Sequence, residues 1–246
     1  MAQLKSKGMQ PPPLFPTPPD PRLAQLHALL LERYGRPAPR VPWDPLTQFI
    51  YSLLSSRTRT EDSQQVMRDL RTRFPDWQDL RDAPADEIER TIQVVTFPET
   101  KAPRLKLALL QITARYGSLT LDFLAKYRTE KIREWLEQFE GVGPQVSAAV
   151  VNFSTLRRRA LSVDANHLRV SQRLALTPRA DGGITEERLM RLIPEEWDAA
   201  MLDEHHSLVK LHAQTLCVFT EPACGTCPLL GMCPTGKRRQ ATPSPL

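Results

Sequence analysis

The chain's four cysteines all lie between Cys217 and Cys233, spaced C-x6-C-x2-C-x5-C through Cys224 and Cys227. Crowding of this kind cannot staple a chain of 246 residues. It makes a ligand set for a reducing compartment. Four thiolates on one compact loop can hold a tetrahedral zinc or an iron–sulfur cubane. Zinc sites usually divide into two short C-x2-C pairs, and only one such pair is present. A second chemical feature is the carboxylate of Asp164, in Ser162-Val-Asp-Ala-Asn166. A carboxylate shielded from water stabilises a developing positive charge and can orient or activate a water. Asp164 also precedes an apolar helical run, where aspartate serves as an N-cap. A third is Glu140-Gly-Val-Gly-Pro-Gln-Val146. Gly141 and Gly143 admit backbone angles and close approaches that a Cβ forbids. Pro144 suits a first helical turn. The free N–H groups that follow make an anion site, and in so basic a chain the obvious anion is a nucleic-acid phosphate.

Helices must hold these groups. Ile132, Trp135, Leu136 and Phe139 form one apolar stripe before the Gly-Val-Gly turn, and Val146, Ala149, Val150 and Phe153 form another after it. Their i, i+3, i+4, i+7 spacing predicts a hairpin of two helices. Similar stripes run through Phe49–Leu54, Val66–Leu70, Ile88–Val95 and Leu105–Tyr116, with a shorter one at Leu121–Leu124. They predict a bundle of roughly six helices over 44–155. Residues 1–21 carry seven prolines after position 10 and predict a disordered arm. Residues 22–43 supply an N-terminal helix ending near Tyr34-Gly35, residues 156–235 a domain built on the cysteines, and residues 236–246 a basic tail without structure. The chain has +5 net charge and a pI near 9.2, which favours polyanionic partners. No apolar run is long enough to span a membrane. Without an apolar h-region at the N-terminus the protein is expected in the cytoplasm, at the nucleoid in a prokaryote.

Together, Phe139-Glu140-Gly141-Val142-Gly143-Pro144-Gln145, Val163-Asp164-Ala165-Asn166 and the cysteine spacing resemble the helix-hairpin-helix glycosylases of the endonuclease III branch. In that family the hairpin reads L-P-G-V-G-x-K and the acid follows in V-D-T-H or V-D-x-N. The resemblance covers about residues 23–234. It implies an all-α fold of two helical lobes: a six-helix bundle with the hairpin, and a [4Fe–4S] cluster domain joined by the N-terminal helix. The cysteine spacing matches the family's cluster loop residue for residue, which favours the cluster over zinc. Its expected role is structural. His205, His206 and His212 resemble the family's H-H-x-L-x-x-H-G-R run, with Ala213-Gln214 in place of Gly-Arg. A helix packed under the cluster loop is expected there, rather than a second metal site.

The resemblance further implies duplex DNA as partner, a monomer, and base-excision repair. Asp164 is then the catalytic acid. Gln145 stands where the family has its Schiff-base lysine, so strand cleavage by β-elimination is expected to be weak or absent. Gln145 is left to contact the flipped base or a water. Gly141, Val142 and Gly143 would hold the backbone, with Asn166 beside them. Leu53-Leu54-Ser55-Ser56-Arg57-Thr58-Arg59 resembles the L-L-S-x-Q/R-T segment, so Arg57 is expected to fill the gap left by the base, with Arg59 close by. Thr60 stands where many relatives have Asp. Lys101, in Phe97-Pro98-Glu99-Thr100-Lys101-Ala102, would touch a phosphate or, less simply, act as a substitute amine. Oxidised pyrimidines are the default substrate, with mismatched or alkylated bases as alternatives. Two other classes stay open: a lesion- or abasic-site-binding protein that has lost catalysis, and a zinc-bearing architectural protein, which would lack brown colour.

Overall fold

Five aspartates start helices in the same way. Asp20, Asp44, Asp164, Asp181 and Asp198 each accept a backbone N–H from the first turn that follows, satisfying a donor that the helix itself leaves orphaned. Proline opens five helices, where its missing N–H costs nothing. A computed structural model describes residues 20–241. Among these are twelve α-helices: α1 Pro21–Tyr34, α2 Pro45–Ser55, α3 Thr60–Arg73, α4 Trp77–Asp82, α5 Ala85–Thr91, α6 Pro98–Tyr116, α7 Thr129–Leu136, α8 Pro144–Phe153, α9 Ala165–Arg173, α10 Gly182–Leu192, α11 Ala199–Thr215 and α12 Pro234–Ala241. No strand occurs among the described residues, and one isolated bridge pairs Trp43 with Ser154. The fold is all-α, as the sequence leads one to expect.

Two apolar cores give the two lobes. Residues of α2 to α8 bury the first, around Phe49, Leu54, Leu70, Leu105, Phe139 and Val150. The second is built by α1, α9, α10, α11 and the cysteine loop, around Leu23, Leu30, Val170, Leu189 and Leu208. The stretch from 45 to 153 carries seven α-helices rather than six. The unforeseen one is α4, whose six residues are too few to display a period, and the Leu121–Leu124 segment is a 3-10 turn over Asp122–Lys126. Two crossings join the lobes, and Asp203 on α11 ties both. It accepts from Arg40 Nε at 3.1 Å and from Arg157 Nη1 at 2.9 Å. Arg133 of α7 adds a bond to Glu186 of α10 at 2.8 Å.

Two expectations need correction. The arm over residues 1–21 lies outside the described residues up to position 19, but Asp20 and Pro21 are already the cap and first residue of α1. The chain after Pro234 is not an unstructured tail as far as Ala241, for α12 occupies it. Its Lys237 N–H bonds to the Cys233 carbonyl at 3.0 Å, and a Cβ at Gly236 would sit 3.1 Å from Leu230 Cδ1. The helix is held by close packing on the cysteine loop, which polar composition does not reveal. Residues 242–246 lie outside the described residues.

Candidate active site

The hairpin is α7, a tight turn, and α8. Ile132, Leu136, Phe139 and Val142 point into the first core. Gly141 has φ +87°, and a Cβ there would meet Arg104 Cδ at 3.3 Å, so glycine is required. Gly143 differs from expectation. Its φ of −111° is ordinary and nothing lies within 4 Å of a built Cβ. The space in front of it is open, as an approaching phosphate would need. Val142 is buried and its N–H bonds to the Phe139 carbonyl at 3.0 Å, so it anchors the turn from inside. The N–H groups of Gly141, Gly143 and Gln145 have no acceptor among the described residues. They form the free donor set of the α8 N-terminus.

A cleft of about 870 Å³ runs between the lobes and is lined by Gln145, Asp164, Asn166, Arg57 and Arg59 together. Residues far apart in sequence therefore share one cavity. Asp164 caps α9, with Oδ1 accepting the His167 N–H at 2.8 Å. Burial works against its ionisation, but His206, the His167 N–H and Lys210 outweigh it, and its carboxyl sits below the usual range. His167 and His206 are themselves held neutral by burial, so the His167 N–H is the support that does not depend on their charge. Cap and anionic cleft residue are one side chain here. Asn166 donates to Asp164 Oδ2 at 3.4 Å and accepts from Arg169 at 3.1 Å. The Gln145 carbonyl accepts from Ser162 Oγ at 3.1 Å, fixing the hairpin to the strand of chain that carries Asp164.

Arg57 is exposed at the tip of the α2–α3 turn with φ +58°, a left-handed backbone that a non-glycine residue adopts only when its surroundings enforce it. The enforcement is visible. Thr96 Oγ1 donates to the Arg57 carbonyl at 2.9 Å, and Thr58 Oγ1 receives the Thr96 N–H at 3.1 Å. Lys101 completes the lock from within. Its Nζ donates to Leu54 O at 2.6 Å, Ser56 O at 2.7 Å and Thr58 Oγ1 at 3.0 Å. Lys101 is thus buried, and its Nζ is spent on the α2–α3 turn, unlike the exposed cation that a phosphate contact leads one to expect. Burial, with Arg57 beside it, lowers its pKa to about 8. Three acceptors that only an ammonium can match pull the other way. Replacing Lys101 by methionine strands those acceptors. Stability should fall by about 3 kcal/mol, read as a lower urea midpoint, whereas a surface lysine would leave the midpoint unchanged. Arg59 caps α3 and pairs with Asp62 at 2.7 Å on the cleft rim.

Two residues in or beside the cleft escape sequence reasoning. Phe97 is 53% exposed with φ +60°, directly attached to the Thr96 that holds the Arg57 turn. A large exposed aromatic in a left-handed conformation is a strained, deliberate placement. Lys210, on α11, lines the cleft with His206 and Asp164.

The four cysteines line one cavity between α9, α11 and α12. Arg173 organises it, donating to Cys217 Sγ at 3.2 Å and to the carbonyls of Cys217, Val218 and Phe219. The Gly236 N–H points to Cys233 Sγ at 3.3 Å. His212 bonds Tyr34 Oη through Nδ1 at 3.0 Å and lies 3.7 Å from Cys227 Sγ, so it is a core histidine under the loop. Among the described residues no three His, Cys, Asp or Glu side chains converge on one point fit for a metal ion. A zinc needs four donors within about 2.3 Å of a single centre. A cubane instead needs thiolates spread around a body of several atoms, with N–H donors to sulfur. Four thiols lining one cavity, with N–H donors to two of the sulfurs, are a donor set that a cluster of several atoms could use.

Comparison with known proteins agrees with this geometry. Residues 50–195 match the family described as HhH-GPD superfamily base excision DNA repair protein. An Arabidopsis thaliana protein named "Putative DNA glycosylase" is 31% identical over 145 residues, 58% of this chain and 49% of that protein, so the match spans about half its length. Endonuclease III of Synechocystis sp. is 27% identical over 194 residues, 78% of this chain and 82% of that protein. A solved non-covalent endonuclease III–DNA complex has the same fold, with a TM-score of 0.75 and 22% identity, covering 90% of this chain and 98% of that one. The matched stretch holds the Arg57 turn, the hairpin and Asp164. The chain therefore belongs to the HhH-GPD superfamily of base excision DNA repair proteins and is endonuclease III-like in sequence and fold.

Proposed function

We propose that the protein is a DNA glycosylase that extrudes a damaged or mismatched base from duplex DNA and releases it. The observation that carries this is the meeting of Asp164 with Gln145, on the first turn of α8, and with the Arg57 turn in one inter-lobe cleft. The N–H groups of Gly141, Gly143 and Gln145 would take a backbone phosphate and set the register of the duplex. Arg57, held forward by its locked turn, would enter the space the base vacates, with Phe97 beside it as a stacking surface. As the N-glycosidic bond breaks, positive charge grows on the sugar. The Asp164 carboxylate stabilises that charge and orients the water that completes the displacement. Gln145 has no amine, so position 145 supplies hydrogen bonds to base or water and no imine. The four cysteines would hold a [4Fe–4S] cluster, which supplies a fixed scaffold for the loop between α11 and α12. Oxidised pyrimidines are the first substrates to try, then mismatched thymine or uracil and alkylated bases. The comparisons lend no support to the lesion-binding alternative without catalysis.

The test uses end-labelled duplexes, each with one lesion or mismatch, incubated with the full chain and divided before treatment with hot alkali. Strand breaks revealed by alkali report base release and name the substrate class. Intact strands on every duplex, with binding retained, would remove the glycosylase reading.

A further inference from the structure

Among the described residues one amine lines the cleft. Of the cationic side chains lining it, Arg40, Arg57 and Arg59 are guanidinium groups, which stay protonated and are not imine formers. The fourth is Lys210. It stands one helical turn beyond His206 on α11, so the two side chains share a face. His206 Nδ1 reaches the Ser162 carbonyl at 2.9 Å, two residues before Asp164. Lys210 is half-buried, yet unlike Lys101 its Nζ has no hydrogen-bond partner or ion pair among the described residues. Burial lowers its pKa from the ordinary lysine value, against the pull of Asp164, with Arg40 lowering it further and Glu61 opposing. An unpartnered amine kept partly out of water is a nucleophile in waiting. It is also an expensive group to leave in a cleft without a task.

We propose that Lys210 attacks the abasic sugar that base release leaves in this cleft, giving the chain a strand-cleaving activity that bypasses position 145. The neutral amine adds to C1′ of the ring-opened aldehyde; uptake of one proton from solvent water and loss of one water then give an iminium. A proton then leaves C2′ to a water or carboxylate in the cleft. The C3′–O bond breaks with its electron pair departing on the 3′ phosphate. Hydrolysis of the iminium by water restores the amine and frees the unsaturated sugar end. The inference rests on the glycosylase reading for its setting but not on the identity of the base, because every released base leaves the same sugar.

The test therefore starts from a duplex whose abasic site has been made beforehand by removal of uracil. The full-length protein is mixed with it in the presence of borohydride, which reduces an iminium to a stable secondary amine. The expected result is a covalent protein–DNA adduct that peptide mass analysis places on Lys210. The variant Lys210→Arg keeps the cation and cannot form an imine. It should lose both adduct and nick while its thermal unfolding shows it folded. No adduct from the unaltered protein, an adduct mapped to Lys101 or to the N-terminal amine, or trapping that survives in Lys210→Arg would each overturn the assignment. Failure of the glycosylase reading has a different signature: abasic DNA is trapped, but no base is released from any lesion duplex.

Discussion

Asp164→Asn should leave the fold standing and slow base release by about 10²- to 10⁴-fold. The asymmetry follows from the two jobs of one side chain. As N-cap of α9 it accepts the His167 N–H at 2.8 Å, and asparagine caps a helix about as well as aspartate. Thermal unfolding of the variant should therefore match the parent closely. In the proposed glycosylase its charge beside the sugar would have no substitute. The amide is neutral, so it cannot stabilise the cationic sugar, and it is a poor base for water. Single-turnover base release on the best duplex substrate, compared between the two proteins, is the measurement. Equal rates would reduce Asp164 to a cap. Asp164→Ala is the less informative variant, since it removes cap and charge together.

The second large effect is on stability in acid. His27, His167, His205 and His206 form one buried cluster, with ring centroids 5.7 Å apart for His27–His205 and 5.4 Å for His167–His205. Neither nitrogen of His205 has a partner among the described residues. Burial lowers all four, with His205 held well below the ordinary value and His167 at about 3. Glu204 and Arg36 act on His27 in opposite senses, as Asp164 and Lys210 do on His206. Since the folded values lie below the unfolded value of 6.5, the unfolded chain takes up protons first. Stability is complete above pH 6.5 and falls as the pH drops from there towards the folded values. His167 alone should cost about 2 kcal/mol by pH 5, and the other three act in the same direction. Against a total of roughly 5–15 kcal/mol that is a large share. Urea midpoints at pH 7.5 and pH 5 would show it. His205→Leu removes two orphaned nitrogens and one protonation site, so its midpoint should depend less steeply on pH, which separates the effect from any acid sensitivity of the cysteine loop. A midpoint flat from pH 7.5 to 5 would mean that the cluster accommodates protons when folded.

Much of the site could be read from the sequence because it depends on local rules. The hairpin announces itself through Gly141, Pro144 and the stripes on either side, and Asp164 through its cap position. What escaped reading depends on direction in space. α11 is buried nearly all round, from Leu202 and Asp203 to His212 and Ala213, so periodicity cannot say which face fronts the cleft or that Lys210 lies on it. Lys101 reads as a surface cation because lysine usually is one. Its burial is explained only by the three acceptors that α2 and its turn present. Phe97 reads as an ordinary apolar residue before Pro98, since no residue type signals a left-handed backbone outside glycine and asparagine. The α12 helix, polar and short, is stabilised by a loop whose own shape depends on four cysteines.

The placing of α1 has a consequence for synthesis. Its Leu23, Leu26 and Leu30 are covered by helices that lie more than 130 residues further along the chain. On the ribosome α1 emerges before anything that can shelter it, whereas the core of α2 to α8 lacks only Leu156 and Ala160 of its buried set once α8 has been made. The natural order of events is that the hairpin lobe forms first and α1 waits as an exposed amphipathic segment. It docks only when α9 to α11 have followed. Long loop closure of this kind is slow. The lobe that bears Asp164 should be the last to form during translation and, in a nascent chain stalled after α8, should be absent while the hairpin is already in place.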